Sequence, residues 1–380
     1  MQILQTGDLH LGKILYEYSL IEDQKHILNE LKNILLNDEY DVLALTGDIY
    51  DRAVPSPEAV ELFDTFLTEL HAKKPKLSIM IISGNHDSAK RLSFASKLLS
   101  SNNIYICAES DIEKIINQKP ITITDSKNFQ CDFYLLPFVY AEDIKKFAET
   151  VNPSKEKPAI LFSHCLTLGA ETSSSERTFV ENAENLDSGI FSKFSYTGLG
   201  HIHKPQKVSE KIYYAGSPLP YSFDEIKYEK SFLKIEITEE NPLSIEKIPV
   251  NPLRKFRIIK DSFQNFLEKP EYKDYKDDYI EFLCTDSVLP TAASGTLKKF
   301  FPNLMTFQLF SDSENEEKTE EKIFNEVKQK MFEEKESLPI KEVFGAFVKD
   351  IFGKDLTDYE KEVKILEKIA KEIQDEAWNL

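Results

Sequence analysis

Apolar positions along the chain keep two rhythms, and the rhythms divide it into segments. Short strand-like segments recur at Gln2–Thr6, Val42–Thr46, Leu77–Ile82, Phe133–Leu136, Ala159–Ser163, Tyr196–Leu199, Ile212–Ala215 and Phe232–Ile237, with Val42–Thr46 and Leu77–Ile82 the most apolar. Val42–Thr46, continuous and apolar, reads as a strand covered on both faces. Between them, spacing turns helical. Ile27, Leu28, Leu31, Ile34 and Leu35 make one stripe over Glu22–Leu36. Pro57 suits a first turn and opens a helix predicted to reach His71, with Val60, Phe63, Phe66 and Leu67 in its stripe. Leu92–Leu99 reads as a further helix. Strands alternating with helices over residues 1–250 predict an α/β fold, a layered β-sandwich flanked by helices.

A boundary falls near Asn251-Pro252. Residues 253–310 repeat the alternation in miniature, through Phe256–Ile259, Ser262–Leu267, Tyr279–Cys284, Thr296–Phe301 and Thr306–Phe310, and read as a small α/β domain. Residues 311–335 begin with the acidic run DSENEEKTEE and read as a solvated linker followed by a helix. Over 336–380 the helical period returns. Ile340, Val343, Phe344, Phe347, Val348, Ile351 and Phe352 form one stripe, stopped at Gly353. Thr357 with Glu360 is a capping box for a second helix carrying Tyr359, Val363, Leu366, Ile369 and Ile373. Two such helices beyond a charged linker either fold back on the body or dock on a partner.

Composition narrows the class. With 41% hydrophobic and 29% charged residues the chain has enough apolar material for a core, which excludes wholesale disorder. No apolar run approaches the roughly 18 residues of a membrane span, and the N-terminus lacks a signal-like stretch, so a cytoplasmic protein is expected. Cys107, Cys131, Cys165 and Cys284 form no CxxC pair and sit among apolar residues, as buried free thiols do. Lys plus Arg number 47 against 65 Asp plus Glu, a net charge of −18. Such a chain does not coat nucleic acid non-specifically. A nuclease stays open, because bound cations reverse the sign locally.

Five polar patches interrupt the pattern where apolar strands end, the usual ligand edge of an α/β sheet. They are Asp8-Leu9-His10, Gly47-Asp48-Ile49-Tyr50-Asp51-Arg52, Gly84-Asn85-His86-Asp87, Ser163-His164 and Gly200-His201-Ile202-His203. Five of the seven histidines lie in them; His26 and His71 fall in helical segments. Asp8, His10, Asp48, Asn85, His164, His201 and His203 are enough ligands for two ions. Imidazole, carboxylate and carboxamide together suit Mn²⁺, Fe²⁺ or Zn²⁺ better than Mg²⁺ or Ca²⁺. Asp48, ending a central strand, is the natural bridging carboxylate. Singly, each patch is a common strand-end sequence; all five in this order form a pattern.

That order, D-x-H, G-D-x-x-D, G-N-H-D, H, G-H-x-H, resembles the calcineurin-like metallophosphoesterase superfamily. The stretches GNHDSAKRL (84–92), SSSER (173–177), YTGLGHIHKPQ (196–206) and YYAGSPLPYSF (213–223) resemble its SbcD-type nuclease subunits more closely. The match is rich in motifs over about residues 1–235, and beyond 253 it lies in layout: a capping domain, then a helical tail. The resemblance implies one metal on Asp8, His10, Asp48 and His203 and another on Asp48, Asn85, His164 and His201. His86 would protonate or stabilise the leaving oxygen and Asp87 would orient it. Two divalent ions, Mn²⁺ being expected, supply a hydroxide nucleophile and charge for the phosphoryl oxygens.

The implied protein is a Mn²⁺-dependent DNA exonuclease and endonuclease. It works as a homodimer within a heterotetramer, with an SbcC-type SMC ATPase on the C-terminal helices. No Walker A pattern occurs in this chain. Lys13, Arg52, Lys90, Arg91, Arg177, Lys204 and Lys207 stand near the motifs as a basic collar for DNA. Two other readings compete: a small-molecule phosphodiesterase or phosphatase of the same superfamily, and an adaptor whose main work is binding the ATPase through residues 338–375.

Overall fold

Side chains that alternate along the first strands set the layering. Ile3, Val42, Ala44, Met80 and Ile82 enter one apolar core while Leu4, Leu43, Leu45, Ile79 and Ile81 enter another, as period-two strands buried on both faces require. The computed structural model describes residues 1–176, 186–288, 290 and 293–310. The chain runs through β1 (Gln2–Thr6), a small hairpin of β2 (Ile14–Leu15) and β3 (Tyr18–Ser19), α1 (Ile21–Asn37), β4 (Val42–Thr46), α2 (Pro57–Lys73) and β5 (Ser78–Ile82). Next come α3 (Ala89–Leu92), α4 (Ser96–Ser100), β6 (Ile104–Cys107), α5 (Ile112–Ile116), β7 (Ile121–Thr124), β8 (Gln130–Leu136), α6 (Ala141–Thr150) and β9 (Ala159–His164). β10 (Tyr196–Gly200), β11 (Gln206–Ser209), β12 (Ile212–Tyr214), β13 (Ser231–Glu236) and β14 (Ser244–Pro249) follow.

Strand order β14-β13-β1-β4-β5-β6 makes one six-stranded sheet and β11-β12-β10-β9-β8-β7 the other. Ile3, Phe133, Ile160, Phe162, Tyr196 and Leu233 share the core between them. Ile27, Leu31 and Leu35 of α1 with Phe63 and Phe66 of α2 cover the outer face of the first sheet. Ile115 of α5 with Ile144 and Phe147 of α6 cover Leu161 and Leu199 of the second. The expected layered α/β sandwich is therefore present, helices outside and two sheets within.

Residues 253–310 belong to the same compact unit as the sandwich, Met1–Phe310, but own a sheet and a core. β15 (Phe256–Asp261), α7 (Phe263–Glu268), β16 (Tyr279–Cys284), α8 (Ala293–Phe300) and β17 (Leu304–Leu309) form a parallel sheet, β15-β16-β17, over Phe266, Phe282, Leu297 and Phe301. This lobe is clasped to α1. Arg254 Nη1 and Tyr279 Oη both donate to Asp23 Oδ2 at 2.7 Å, and Tyr18 Oη donates to the Pro302 carbonyl at 2.9 Å.

The continuous helix expected at Leu92–Leu99 is two short ones. Ala95 takes a left-handed φ of 58° between α3 and α4, which leaves Phe94 and Leu98 exposed. Ser93 lies just before the break and turns its hydroxyl onto the Lys90 carbonyl at 3.3 Å, a local bond that competes with the helical ladder. In α2, Phe63 and Phe66 are core while Val60 faces solvent. All four cysteines are free and buried. Among the described residues no helix is long and apolar enough to cross a membrane. The acidic linker at 311–335, the helices expected at 336–380 and Arg177 lie outside the described residues.

Candidate metal centre

Parallel pairing aims the candidate ligands. β1, β4 and β5 are parallel neighbours in one sheet and β9 and β10 in the other, so their C-terminal ends share an edge. Asp8 and His10 follow β1, Asp48 follows β4, Asn85 to Asp87 follow β5, His164 closes β9, and His201 and His203 follow β10. The chain must turn hard at each end. Asp8, His10, Asp48 and His201 all take left-handed backbone, with φ of 50°, 44°, 49° and 97°. Such residues cost roughly 1–3 kcal/mol each and cluster at functional sites. Gly47 also has positive φ, 95°, and a Cβ there would strike His164 Nδ1; a Cβ at Gly84 would strike Asp48 Oδ1.

The seven side chains converge. His10 Nε2 and His203 Nε2 lie 3.1 Å apart. Asn85 Oδ1 is 3.0 Å from both His164 Nε2 and His201 Nδ1. Asp48 Oδ2 stands between, 3.4 Å from His164 Nε2 and 3.8 Å from His10 Nε2. Asp8, His10 and His203 form one group whose nitrogen and oxygen atoms could hold an ion, and Asp8, Asp48 and His164 form another.

These residues fit a pair of cations. Asp8 Oδ2 is buried with no hydrogen-bond partner, and two imidazole nitrogens meet next to it. Unmatched acceptors inside a protein are costly unless something positive satisfies them. Burial pushes Asp8 up to about 7 and His201 down to about 3, and holds His10 well below the ordinary imidazole range. Burial also opposes charge on His164 and Asp48, but their mutual attraction wins, raising His164 to about 9 and holding Asp48 far below the usual carboxylate range.

The family model for calcineurin-like phosphoesterases matches residues 1–205, which contain all seven candidate ligands. A curated relative, the SbcD component of the nuclease SbcCD from Staphylococcus epidermidis, is 32% identical over 332 residues, covering 83% of this chain and 87% of that protein. The chain belongs to the SbcD family of calcineurin-like phosphoesterases. A solved structure, a dimetal phosphatase from Danio rerio, is 12% identical and covers 66% of this chain and 97% of its own at a TM-score of 0.40, a likeness too slight to carry an argument. The phosphoesterase is thereby a metal-dependent enzyme, and the residues above are its candidate dinuclear centre.

His86 sits at the mouth of that centre. Its backbone N–H donates to Asp48 Oδ1 at 2.9 Å, its Nδ1 lies 2.9 Å from the Asp51 carbonyl oxygen, and its ring meets His10 edge-on at 4.7 Å. Its nitrogens also group with His10 and Asp48 within ion-binding range. Asp87 stands next in the chain. Its carboxylate accepts from the backbone N–H groups of Ile49 (3.1 Å), Tyr50 (2.9 Å) and Gly84 (2.9 Å). It ties the loop after β4 to the loop after β5, while the Asp51 main chain orients the His86 ring. Burial lifts Asp87 to about 6.

Behind His203 lies a buried network that the sequence did not disclose. Glu225 Oε1 lies 3.1 Å from His203 Nδ1, and Ser175 Oγ lies 2.8 Å from the same nitrogen. Lys230 Nζ donates to Glu225 Oε2 at 2.5 Å, Ser217 Oγ at 2.8 Å and the His203 carbonyl at 2.9 Å. Glu176 accepts from the His203 backbone N–H. A carboxylate on the far ring nitrogen fixes a ligand histidine's tautomer and raises its basicity. Gln24 of α1 serves the D-x-H loop likewise. Its Nε2 donates to the His10 carbonyl at 2.7 Å and its Oε1 accepts from Gly12 N–H at 2.9 Å.

The expected basic collar is thinner than its sequence suggested. Lys13 pairs with Asp51 at 2.8 Å beside the centre, and exposed Arg52 lies 3.6 Å from the same carboxylate. Lys204 and Lys207 are already engaged by Glu171 and Glu210.

Proposed function

We propose that this phosphoesterase is the DNA-cleaving component of an SbcCD-type complex, a Mn²⁺-dependent cytoplasmic exonuclease and endonuclease acting in double-strand-break and hairpin processing. One observation carries the reading: six buried side chains and the half-buried Asn85, from two sheets, bring their N and O atoms together beside a histidine that is held by a main-chain carbonyl. Asp8, His10, Asp48 and His203 would hold one ion and Asp48, Asn85, His164 and His201 the other. Two divalent ions, when bound, supply positive charge for the phosphoryl oxygens and a water nucleophile near neutral pH.

This chain's own residues do the rest. The Asp51 carbonyl can only accept, so His86 keeps its proton on Nδ1 and exchanges protons through Nε2. A doubly protonated His86 gives the Nε2 proton to the departing sugar oxygen as the phosphorus–oxygen bond breaks. Asp87 holds the loops that present Asp48 and His86 in register. The relative's name, a subunit of SbcCD, supports an assembly with a second component; we take this to be the SMC-type ATPase that the sequence resemblance implies and place it on residues 336–380, in a heterotetramer built on a homodimer.

The deciding experiment measures metal content and cleavage of linear and hairpin DNA by the isolated chain, with and without Mn²⁺. Cleavage that appears with Mn²⁺ and disappears on chelation is the expected result. Hydrolysis of cyclic nucleotides with intact DNA would instead support a small-molecule phosphodiesterase.

A further inference from the structure

The segment leaving β8 carries two aromatic rings in opposite circumstances. Val139 between them is buried, and the Phe138 backbone N–H donates to the Ser83 carbonyl at 2.9 Å, which pins the segment to the end of β5. The Phe138 ring lies over His201 with centroids 6.3 Å apart and planes 27° from parallel, and meets His164 edge-on at 6.2 Å. Tyr140 follows, its ring 6.3 Å from that of Phe138, and is 79% exposed. Tyr140 stands at the N-cap of α6 without a side-chain capping bond. The fold gains little from a tyrosine here, yet the aromatic path leads from two candidate ligands straight to solvent.

We propose that exposed Tyr140, which Phe138 supports edge-on with 60° between the ring planes, is a shelf on which the nucleobase next to the scissile phosphate stacks. The inference rests on the nuclease reading above and adds how the strand is held. A base lies one sugar from its own phosphate, and the Phe138 ring lies 6.3 Å from that of His201 and 6.2 Å from that of His164. Every base offers a π-face, so such stacking tolerates any sequence. A base inside a duplex has both faces covered and must unstack to use the shelf. The shelf therefore favours unpaired ends, loops and hairpin tips over paired interiors.

The test uses the full-length chain with Mn²⁺ and three substrates: a single-stranded oligonucleotide, the same oligonucleotide with abasic residues flanking the cleaved bond, and a blunt duplex. Removing the flanking bases should raise the wild-type KM about five- to hundredfold. Tyr140→Ala should do the same on the intact oligonucleotide, and on the abasic one it should add nothing further. Tyr140→Trp should keep the wild-type KM, and Tyr140→Ala should narrow the preference for single strand over duplex. Wild-type KM in Tyr140→Ala, or losses from protein and substrate that multiply, overturn the shelf. A wild-type chain that hydrolyses bis(p-nitrophenyl) phosphate but cleaves no DNA sinks the nuclease reading, and the shelf with it.

Discussion

A histidine whose Nδ1 faces a main-chain carbonyl does its proton chemistry through Nε2, and that restriction makes His86 the sharpest residue to test. His86→Gln should keep both ions and lose roughly 10²–10⁴-fold in kcat, the usual worth of general acid catalysis. Metal analysis and turnover on one preparation check both halves, and equal turnover overturns the role. Glu225 acts one layer further out. Glu225→Gln keeps the volume and removes the charge, so metal affinity should weaken about 10- to 100-fold. It also strips Lys230 of its counter-ion in a buried setting, at a cost of roughly 3–5 kcal/mol of stability. A metal titration with a urea melt resolves the two effects. The seven candidate ligands and His86 were legible because polar residues at the ends of apolar strands stand out. Glu225 and Lys230 were not: in Asp224-Glu225-Ile226-Lys227-Tyr228-Glu229-Lys230 they look like a solvated turn, and only the fold shows them enclosed.

Elements announced themselves in proportion to how completely they are buried. Gln2–Thr6, Val42–Thr46 and Tyr279–Cys284 have the bounds their sequence pattern predicts. β7 and β14 escaped notice because they are edge strands that mix half-buried with exposed residues and bury none, and α6 because its two-sided composition follows no unbroken run. The clasp between α1 and the 253–310 lobe also joins elements too far apart in sequence to be paired by eye. Asp23 is buried and accepts from both Arg254 and Tyr279. Arg254→Met should cost about 3 kcal/mol, toward the low end for a broken buried pair because Arg254 keeps part of its side chain in water. Tyr279→Phe, which loses one hydrogen bond to a carboxylate, should cost about 1.5–3 kcal/mol. Urea midpoints of the two variants give the comparison, and unchanged midpoints would show that the lobe is held by its apolar contacts alone.

At the scale of the whole molecule, net charge and local charge pull in opposite directions. A body of net charge −18 repels a polyanion at long range, so DNA binding has to come from the metals and the few cations beside them. Affinity should fall steeply with salt, by roughly 0.9 in log K per unit of log salt for each duplex phosphate neutralised. A flat response between low and physiological salt would count against a collar that includes Lys13 and Arg52. The candidate ligands have another consequence. Asp8, His10, Asp48 and Asn85 hang from one sheet and His164, His201 and His203 from the other, and apolar packing fills the space between. A cation pair gripped from both sides is a cross-link, doing for the two leaves of the sandwich what a disulfide does elsewhere. Each ion, at a hundredfold excess over its Kd, should add about 2.7 kcal/mol. Chelation should then lower the melting temperature and quicken amide exchange first at Thr6, Thr46, Ile82 and Gly200, where the leaves are riveted.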